Sequence, residues 1–374
     1  MATGWPMKVT YANGDVYAAS DVNDTNGTIN LLGSSVAYTA GKNKIINGDF
    51  RINQRAFTSN TTTLSFNFDR WFQSNGGTTG TLTTTPQTFT PGAAPIAGYE
   101  GSTFLQGVTA AGASANTVAL FQQKIEDVRS FAGQTITFSF FARATTGTPK
   151  IGLEISQNFG TGGSPSATVM TSLGAVTIST SWARYSLSVA VPSISGKTLG
   201  TTVNSFLAAN LWLSAGSDSA SRASSIGLQN NTFQIWGVQI EQGSTATAFQ
   251  TATGNPASEL AACQRYYWRV TADSANVYAN FGNGVVTATT SAYIYVQNPV
   301  VMRFAPDLVD FATLTFANYG LTLYTVTALA FTSNRSGSLG SLMTATASGM
   351  SAGQGGWLGS NNSATGYIGF GAEL

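Results

Sequence analysis

Apolar residues in this chain recur at every second position, and that spacing decides most of what it can become. In "TITFSFFARA", Ile136, Phe138 and Phe140 point one way while Thr135, Thr137 and Ser139 point the other. In "RYSLSVAVP", Tyr185, Leu187, Val189 and Val191 alternate with small or polar residues. A strand sends successive side chains to opposite faces, so period two predicts half-buried antiparallel strands. "KIGLEISQN", "SFLAANLWLSAG" and "NTFQIWGVQIEQG" add further strand-like runs, with turn residues between them at β-sandwich spacing. Trp71, Trp182, Trp212 and Trp236 fall inside these runs and are expected in the core. No long amphipathic helix is legible, although "QQKIEDVRSFAG" has room for a short turn or helix.

At 374 residues the chain is too long for one ordinary core. The predicted class is all-β: an N-terminal anchor arm (1–40), a jelly-roll β-sandwich (41–254), a short helical junction (255–268) and a smaller C-terminal β-sandwich (269–374). In the arm, Asn13-Gly14 suits a tight hairpin turn. Ser20 suits the cap of a short helix bearing Val22, Ile29 and Leu32, which Gly27 interrupts. The arm reads either as loose chain or as an anchor that docks on a partner, and the anchor is preferred. At the junction, Pro256 fits the first turn of a helix, and Glu259 to Cys263 tolerate one.

Charge excludes several functions. Hydrophobic residues make up 43% of the chain and charged ones only 9%, with a net charge of +1. The surface must therefore be Ser, Thr, Asn, Gln and Gly, groups that meet sugars well and capture polyanions poorly. Nucleic-acid binding needs a basic footprint, and none is present. With no histidine and one cysteine there is no Ser-His-Asp or Cys-His pair, no histidine zinc site and no intrachain disulfide. The start "MATGWPMKVTYANGDVYAAS" lacks the features of a signal peptide, and no run of ~18 apolar residues occurs, so no membrane insertion is expected. Exposure outside the cell would then come by lysis or assembly. Gly196-Lys197-Thr198 looks like the tail of a phosphate loop, but Val191 stands where the motif needs glycine, so it reads as a turn.

Few residues invite chemistry. In "CQRYYWRV" the lone Cys263 reads as a small buried hydrophobe. Arg265, Tyr266, Tyr267 and Trp268 read as a clamp between domains or subunits, with Arg265 and Arg269 able to stack on rings or pair with carboxylates. Trp357, in "AGQGGWLGSNN", is a sugar-stacking platform, or a plug for its own loop or a subunit interface. Tyr319 and Tyr367 carry weaker forms of that pattern. Glycosidases need only two carboxylates, and Asp307 with Asp310 or Glu126 with Asp127 are possible pairs. Acids beside cations, such as Asp69-Arg70 and Asp127-Arg129, read instead as surface or strand-end pairs.

A series of segments carries a resemblance: "IINGDFRINQR", "FDRWF", "FQQKIEDVRSFAGQTITFSFFARA", "IWGVQIEQGSTATAFQ" and "ELAACQRYYW". In that order they resemble a recurrent domain of bacteriophage tail-fibre and related virion proteins. The match spans about 42–268, and the ordered set is more specific than any one segment. The arm, with "GDVYAASDVND", is more faintly similar to virion-attachment segments, and the closing "GAEL" to the ends of such fibres. The resemblance implies a jelly roll related to carbohydrate-binding modules, in a homotrimer on the exterior of a virion. Its partners would be other virion proteins, through residues 1–40, and host-surface polysaccharide or lipopolysaccharide. Some carbohydrate-binding jelly rolls hold a structural Ca²⁺, and Asp49 and Glu241 fall near the corresponding strands, though "IWGVQIE" lacks a paired acid. The expected function is non-catalytic host attachment. The alternatives are a structural head-fibre, decoration or baseplate-adaptor protein, or a glycan depolymerase, whose long β-helical repeats are not visible here.

Overall fold

The computed structural model describes residues 8–10, 16–18, 41–93, 96 and 98–374. Two units are separable, Met1–Thr39 and Ala40–Leu374. In the first, β1 (Lys8–Thr10) and β2 (Val16–Ala18) pair antiparallel, with Val9 opposite Tyr17. The Asn13-Gly14 turn and the Val22/Ile29/Leu32 pattern lie outside the described residues.

The second unit is nearly all β. Its first sandwich is wound from β3 (Ser65–Phe66), β4 (Phe72–Gly76), β5 (Thr81–Thr88) and β6 (Thr103–Ala110). β7 (Val118–Glu126), β8 (Thr135–Ala144), β9 (Lys150–Asn158) and β10 (Val169–Thr177) follow. β11 (Ala183–Ala190), β12 (Phe206–Ala215) and β13 (Asn231–Gln242) complete it. One sheet runs β10-β9-β12-β7-β4-β3 and the other β11-β8-β13-β6-β5. The hairpins β3–β4, β5–β6 and β9–β10 stay within a sheet, and each remaining connection crosses to the other sheet, which is jelly-roll winding. Ile136, Phe138 and Phe140 of β8 meet Ile151, Leu153 and Ile155 of β9 in the core between the sheets.

β11 alternates between half-buried and exposed as expected, but β8 is more enclosed than its alternation suggests. Thr137 and Ser139, on the polar side of β8, are 1% and 0% exposed. The chain after β13 folds back over this face. Thr137 donates to the Gly243 carbonyl at 2.8 Å, Ser188 to that of Ser244 at 3.0 Å, and Arg184 to that of Thr247. Hydroxyls and amides can be buried at little cost when every polar atom finds a partner. Trp71, Trp212 and Trp236 are buried, but Trp182 is half-buried, standing over Phe89 and Phe104 on the outer face of the five-stranded sheet. Gln122–Glu126, open to a helical reading, lie in β7, because three-strand pairing across β4, β7 and β12 outweighs local preference.

The segments that carried the resemblance are buried polar staples. Asn47 donates to the carbonyls of Ile52 at 2.8 Å and Asp69 at 3.0 Å, while its own carbonyl accepts from the Trp71 indole at 2.9 Å. Gly48 beside it is irreplaceable, since a Cβ there would lie 2.2 Å from the Val238 carbonyl oxygen.

Helix α1 (Pro256–Gln264) follows, capped by Asn255, whose side chain accepts from the Ser258 amide at 2.9 Å. The second sandwich begins with β14 (Tyr267–Thr271), β15 (Asn280–Ala288), β16 (Ser291–Gln297), β17 (Leu308–Ala312) and β18 (Leu314–Asn318). It continues with β19 (Leu323–Thr325), β20 (Ala328–Ser336), β21 (Gly340–Thr346), β22 (Gly355–Ser360) and β23 (Tyr367–Gly371). A three-stranded sheet, β14-β23-β17, faces a seven-stranded one, β19-β18-β22-β15-β16-β21-β20. Ile294, Phe316, Met343, Leu358 and Phe370 lie in the core between them.

Arg55 and Arg70, from the first sandwich, both pair with Glu373, which follows β23. Arg55 lies 3.6 Å from the Tyr267 ring centroid, and Arg70 lies 3.4 Å from that of Tyr266. Tyr267 is 1% exposed and donates to Asp310 at 2.8 Å. Tyr267→Ala should therefore lower the unfolding free energy by about 3–5 kcal/mol, the usual cost of deleting a buried aromatic ring. Tyr267→Phe, losing only the hydroxyl, should cost about 1–3 kcal/mol. Urea unfolding reads both, and an alanine variant as stable as wild type would remove the ring from the account of how the sandwiches join.

Candidate functional site

Alternation along the seven-stranded sheet sends one set of side chains into the core and the other outward. On the outward face, register places Asn283 of β15, Trp357 of β22 and Ala317 of β18 in one row, with Tyr295 of β16 beyond Asn283. Tyr319, just past β18, is 76% exposed, and its ring centroid stands 6.4 Å from that of Trp357 at an interplanar angle of 48°. The two rings form an open angle. Gly355 permits it, because a Cβ there would lie 2.5 Å from the Tyr319 ring. Trp357 is half-buried and Tyr295 is 49% exposed, with its hydroxyl donating to Gln297 at 2.9 Å. Aromatic faces edged by amides offer stacking and hydroxyl recognition without formal charge.

Tyr319 and Trp357, singled out separately in the sequence, are thus brought together. Tyr367 is not with them. It lies on β23, its hydroxyl donates to Asp310 at 2.9 Å, and the Arg269 guanidinium covers its ring at 3.2 Å from the centroid. One face of that ring is already taken by the guanidinium. Asn283 and Tyr295 were missed by the sequence reading. Their signal is the alternation of β15 and β16, which marks outward positions but cannot say which strands are neighbours.

Arg265, Tyr266 and Tyr267 lie at the seam between the sandwiches, whereas Trp268 is packed in the core of the second sandwich against Phe370. Arg265 reaches Glu126 at 3.1 Å, and the Trp268 indole donates to Asn298 at 3.1 Å. Tyr266, Tyr267 and Trp268 are buried. Arg55, Arg70 and Glu373, not singled out beforehand, complete this network. Their trace in the sequence was the presence of charges among aromatic residues in a chain so poor in charge. Cys263 is fully buried, and burial pushes its thiol well above the usual range, the opposite of an activated nucleophile.

The carboxylates are largely committed. Asp310 accepts from two tyrosine hydroxyls, Glu126 from Arg265 with Arg303 alongside, and Asp127 from Arg129. A Ca²⁺ shared by Asp49 and Glu241 does not fit the donors present. Glu241 accepts from Gln239, from the Thr247 amide and hydroxyl, and from Lys42 at 3.1 Å, which fills both oxygens. Asp49 gives Oδ2 to Arg51 and keeps a buried Oδ1 without a partner, but among the described residues no group of three or more metal-ligating side chains gathers.

No protein-family model matches the sequence, and no curated protein matches it. Several solved structures match about half of it. The enzymatically active domain of bacteriophage CBA120 tailspike protein 4 is similar over 54% of this chain, with 16% identity and a TM-score of 0.30, and the match spans 22% of that structure. The chain therefore covers less than a quarter of that protein's length. A CBM22-2 xylan-binding domain from Paenibacillus barcinonensis is similar over 47% of this chain and 94% of its own, with 17% identity and a TM-score of 0.30. A family 11 carbohydrate-binding module from Clostridium thermocellum, in complex with a mixed-linked tetrasaccharide, is similar over 52% of this chain and 99% of its own, with 10% identity and a TM-score of 0.29. Likeness at these scores does not bear on what this chain binds.

Burial raises two carboxyls, Asp49 and Asp69. Burial, outweighing the nearby Arg55 and the hydrogen bonds from Gln54, pushes Asp69 from its ordinary 3.8 up to about 6. The folded state then holds this proton more tightly than the unfolded one, so between these values the Asp69 contribution raises stability as pH falls. The Asp69 carboxyl carbon should titrate near pH 6 by NMR, and Asp69→Asn should remove that component of the pH dependence. A midpoint near 4 would contradict the burial argument.

Proposed function

We propose that this chain is a virion fibre protein that attaches to the host by non-catalytic binding of a cell-surface glycan. The contact lies on the outward face of the seven-stranded sheet. The observation that carries this reading is the open pair of Tyr319 and Trp357, set beside Asn283 and Tyr295 on a rigid sheet. A half-buried indole and a largely exposed phenol ring offer apolar faces to a sugar ring, while the amide meets its hydroxyls. The low charge of the chain agrees with recognition by stacking rather than by Coulomb attraction.

The resemblance of "NGDF", "DRW" and "CQRYY" to phage fibre segments supplies the biological setting. In it, residues 1–40 join the virion, three copies form the fibre, and the second sandwich faces the host. A single shallow sugar site is weak, and repeated copies raise avidity without new contacts. Catalysis has no place in this reading, because the two acids that burial raises, Asp49 and Asp69, are both sealed from solvent. One observation favours a structural role instead. Leu321 and Leu323 are exposed beside Tyr319, as a subunit or virion contact would require.

A glycan array with the full chain separates the two, alongside adsorption blocking by the soluble protein. Trp357→Ala and Tyr319→Ala should each weaken the selected glycan about tenfold, roughly the loss of one aromatic contact, while leaving the unfolding midpoint within a few degrees. If wild-type protein binds no glycan and blocks no adsorption, the structural role stands in its place.

A further inference from the structure

A cleft of about 420 Å³ opens at the seam between the two sandwiches. Glu126 and Arg129 at the end of β7, Val203 in the loop before β12, Arg265 after α1, and Arg303 with Phe304 before β17 form its walls. Two guanidiniums converge there on one carboxylate. Arg265 donates to the two oxygens of Glu126 at 3.3 and 3.1 Å, and Arg303 Nε lies 3.4 Å from the first of them. Arg303 is held in place. Its Nη2 donates to the Val203 carbonyl at 2.9 Å, its backbone amide donates to the Arg265 carbonyl at 2.8 Å, and its guanidinium stands 5.1 Å from the Phe304 ring centroid. Arg129 pairs with Asp127, so the lining holds three guanidiniums against two carboxylates. That excess of one positive charge equals the net charge of the whole chain, +1.

We propose that this cleft binds an acidic sugar, a saccharide whose ring bears a carboxylate. Arginine forks match planar carboxylates with paired hydrogen bonds, and two forks that share one internal acid have bonding capacity left over. The sugar carboxylate enters beside Glu126, its ring lies against Phe304 and Val203, and its hydroxyls meet Thr202 and Ser205. The volume falls in the ~300–1,000 Å³ range of small-ligand sites. This site is separate from the sheet face and stands whether or not that face binds a glycan.

Calorimetry on the full chain tests it, in a Trp357→Ala background that silences the sheet face. The probes are galacturonic acid, glucuronic acid, glucose and inorganic phosphate. At least one uronic acid should bind saturably, phosphate several-fold more weakly, and glucose not at all. Arg265→Gln should weaken uronic acid binding about tenfold, the scale of a charged hydrogen bond. Glu126→Gln should strengthen it, because the internal competitor is gone, an effect that damage to the seam would not produce. Absence of uronic acid binding, phosphate binding as tight as uronic acid binding, or Glu126→Gln weakening the complex would each overturn the proposal.

Discussion

Arg55 and Arg70 reach from the first sandwich to a single acceptor, Glu373, at the end of the second. The side chains of Arg70, Arg55 and Glu373 are 2%, 13% and 11% exposed, so this is a cluster largely withdrawn from water. Such clusters contribute little net stability, because desolvation offsets most of the attraction, but breaking one is expensive. They act mainly on geometry. Arg55 is further held between Phe66 and Tyr267, and Arg70 against Tyr266. The Gln54 side-chain amide donates to the Tyr267 carbonyl at 2.8 Å and Arg269 to that of Arg55 at 2.8 Å, both across the seam. The relative placement of the sandwiches, and with it the cleft beside Glu126, depends on these few charges.

A chain so poor in charge must satisfy its buried polar groups by other means. It does so with amides and hydroxyls. Asn43 donates to the carbonyls of Val238 and Gln250 at 3.1 and 2.9 Å and accepts from Ile45 and Ile240. Gln239 accepts from the Gln250 amide at 2.9 Å. Each ties a loop or the first residues of the sandwich to β13, and each is buried. Neutral donors and acceptors avoid much of the desolvation cost of ions, and Thr137 of β8 is buried in this way between Ser188 and the Gly243 carbonyl. The same economy leaves Arg335 of β20 as the one charged residue in the strands of the seven-stranded sheet, where Trp357 stands with Tyr319 beside it.

Much of the fold was legible in the sequence. Period-two runs located β8, β11, β12 and β13, and Pro256 marked the first turn of α1. Errors arose where tertiary contacts overrode local pattern. The hydroxyl face of β8 looked solvent-exposed because alternation reports which residues share a face and is silent on what covers it. Gln122–Glu126 looked partly helical because a run of Gln, Lys and Glu has no strong strand preference of its own. Tyr367 looked like Tyr319, a tyrosine beside glycine, until Arg269 was placed across its ring. Glu241 looked available to a cation until Lys42 and Thr247 were placed against it.

By itself the sequence determined that this is a sheet protein poor in charge, with no histidine chemistry and a helical break before its aromatic junction. Those are properties of spacing and composition, and spacing is what sets the face a side chain takes. Only the tertiary structure decided that Tyr319 meets Trp357, that Arg55 and Arg70 meet Glu373, and that Arg265 and Arg303 share Glu126. These residues come from strands and loops far apart in the chain. Which strands become neighbours depends on the packing of whole sheets, which no local window of residues encodes.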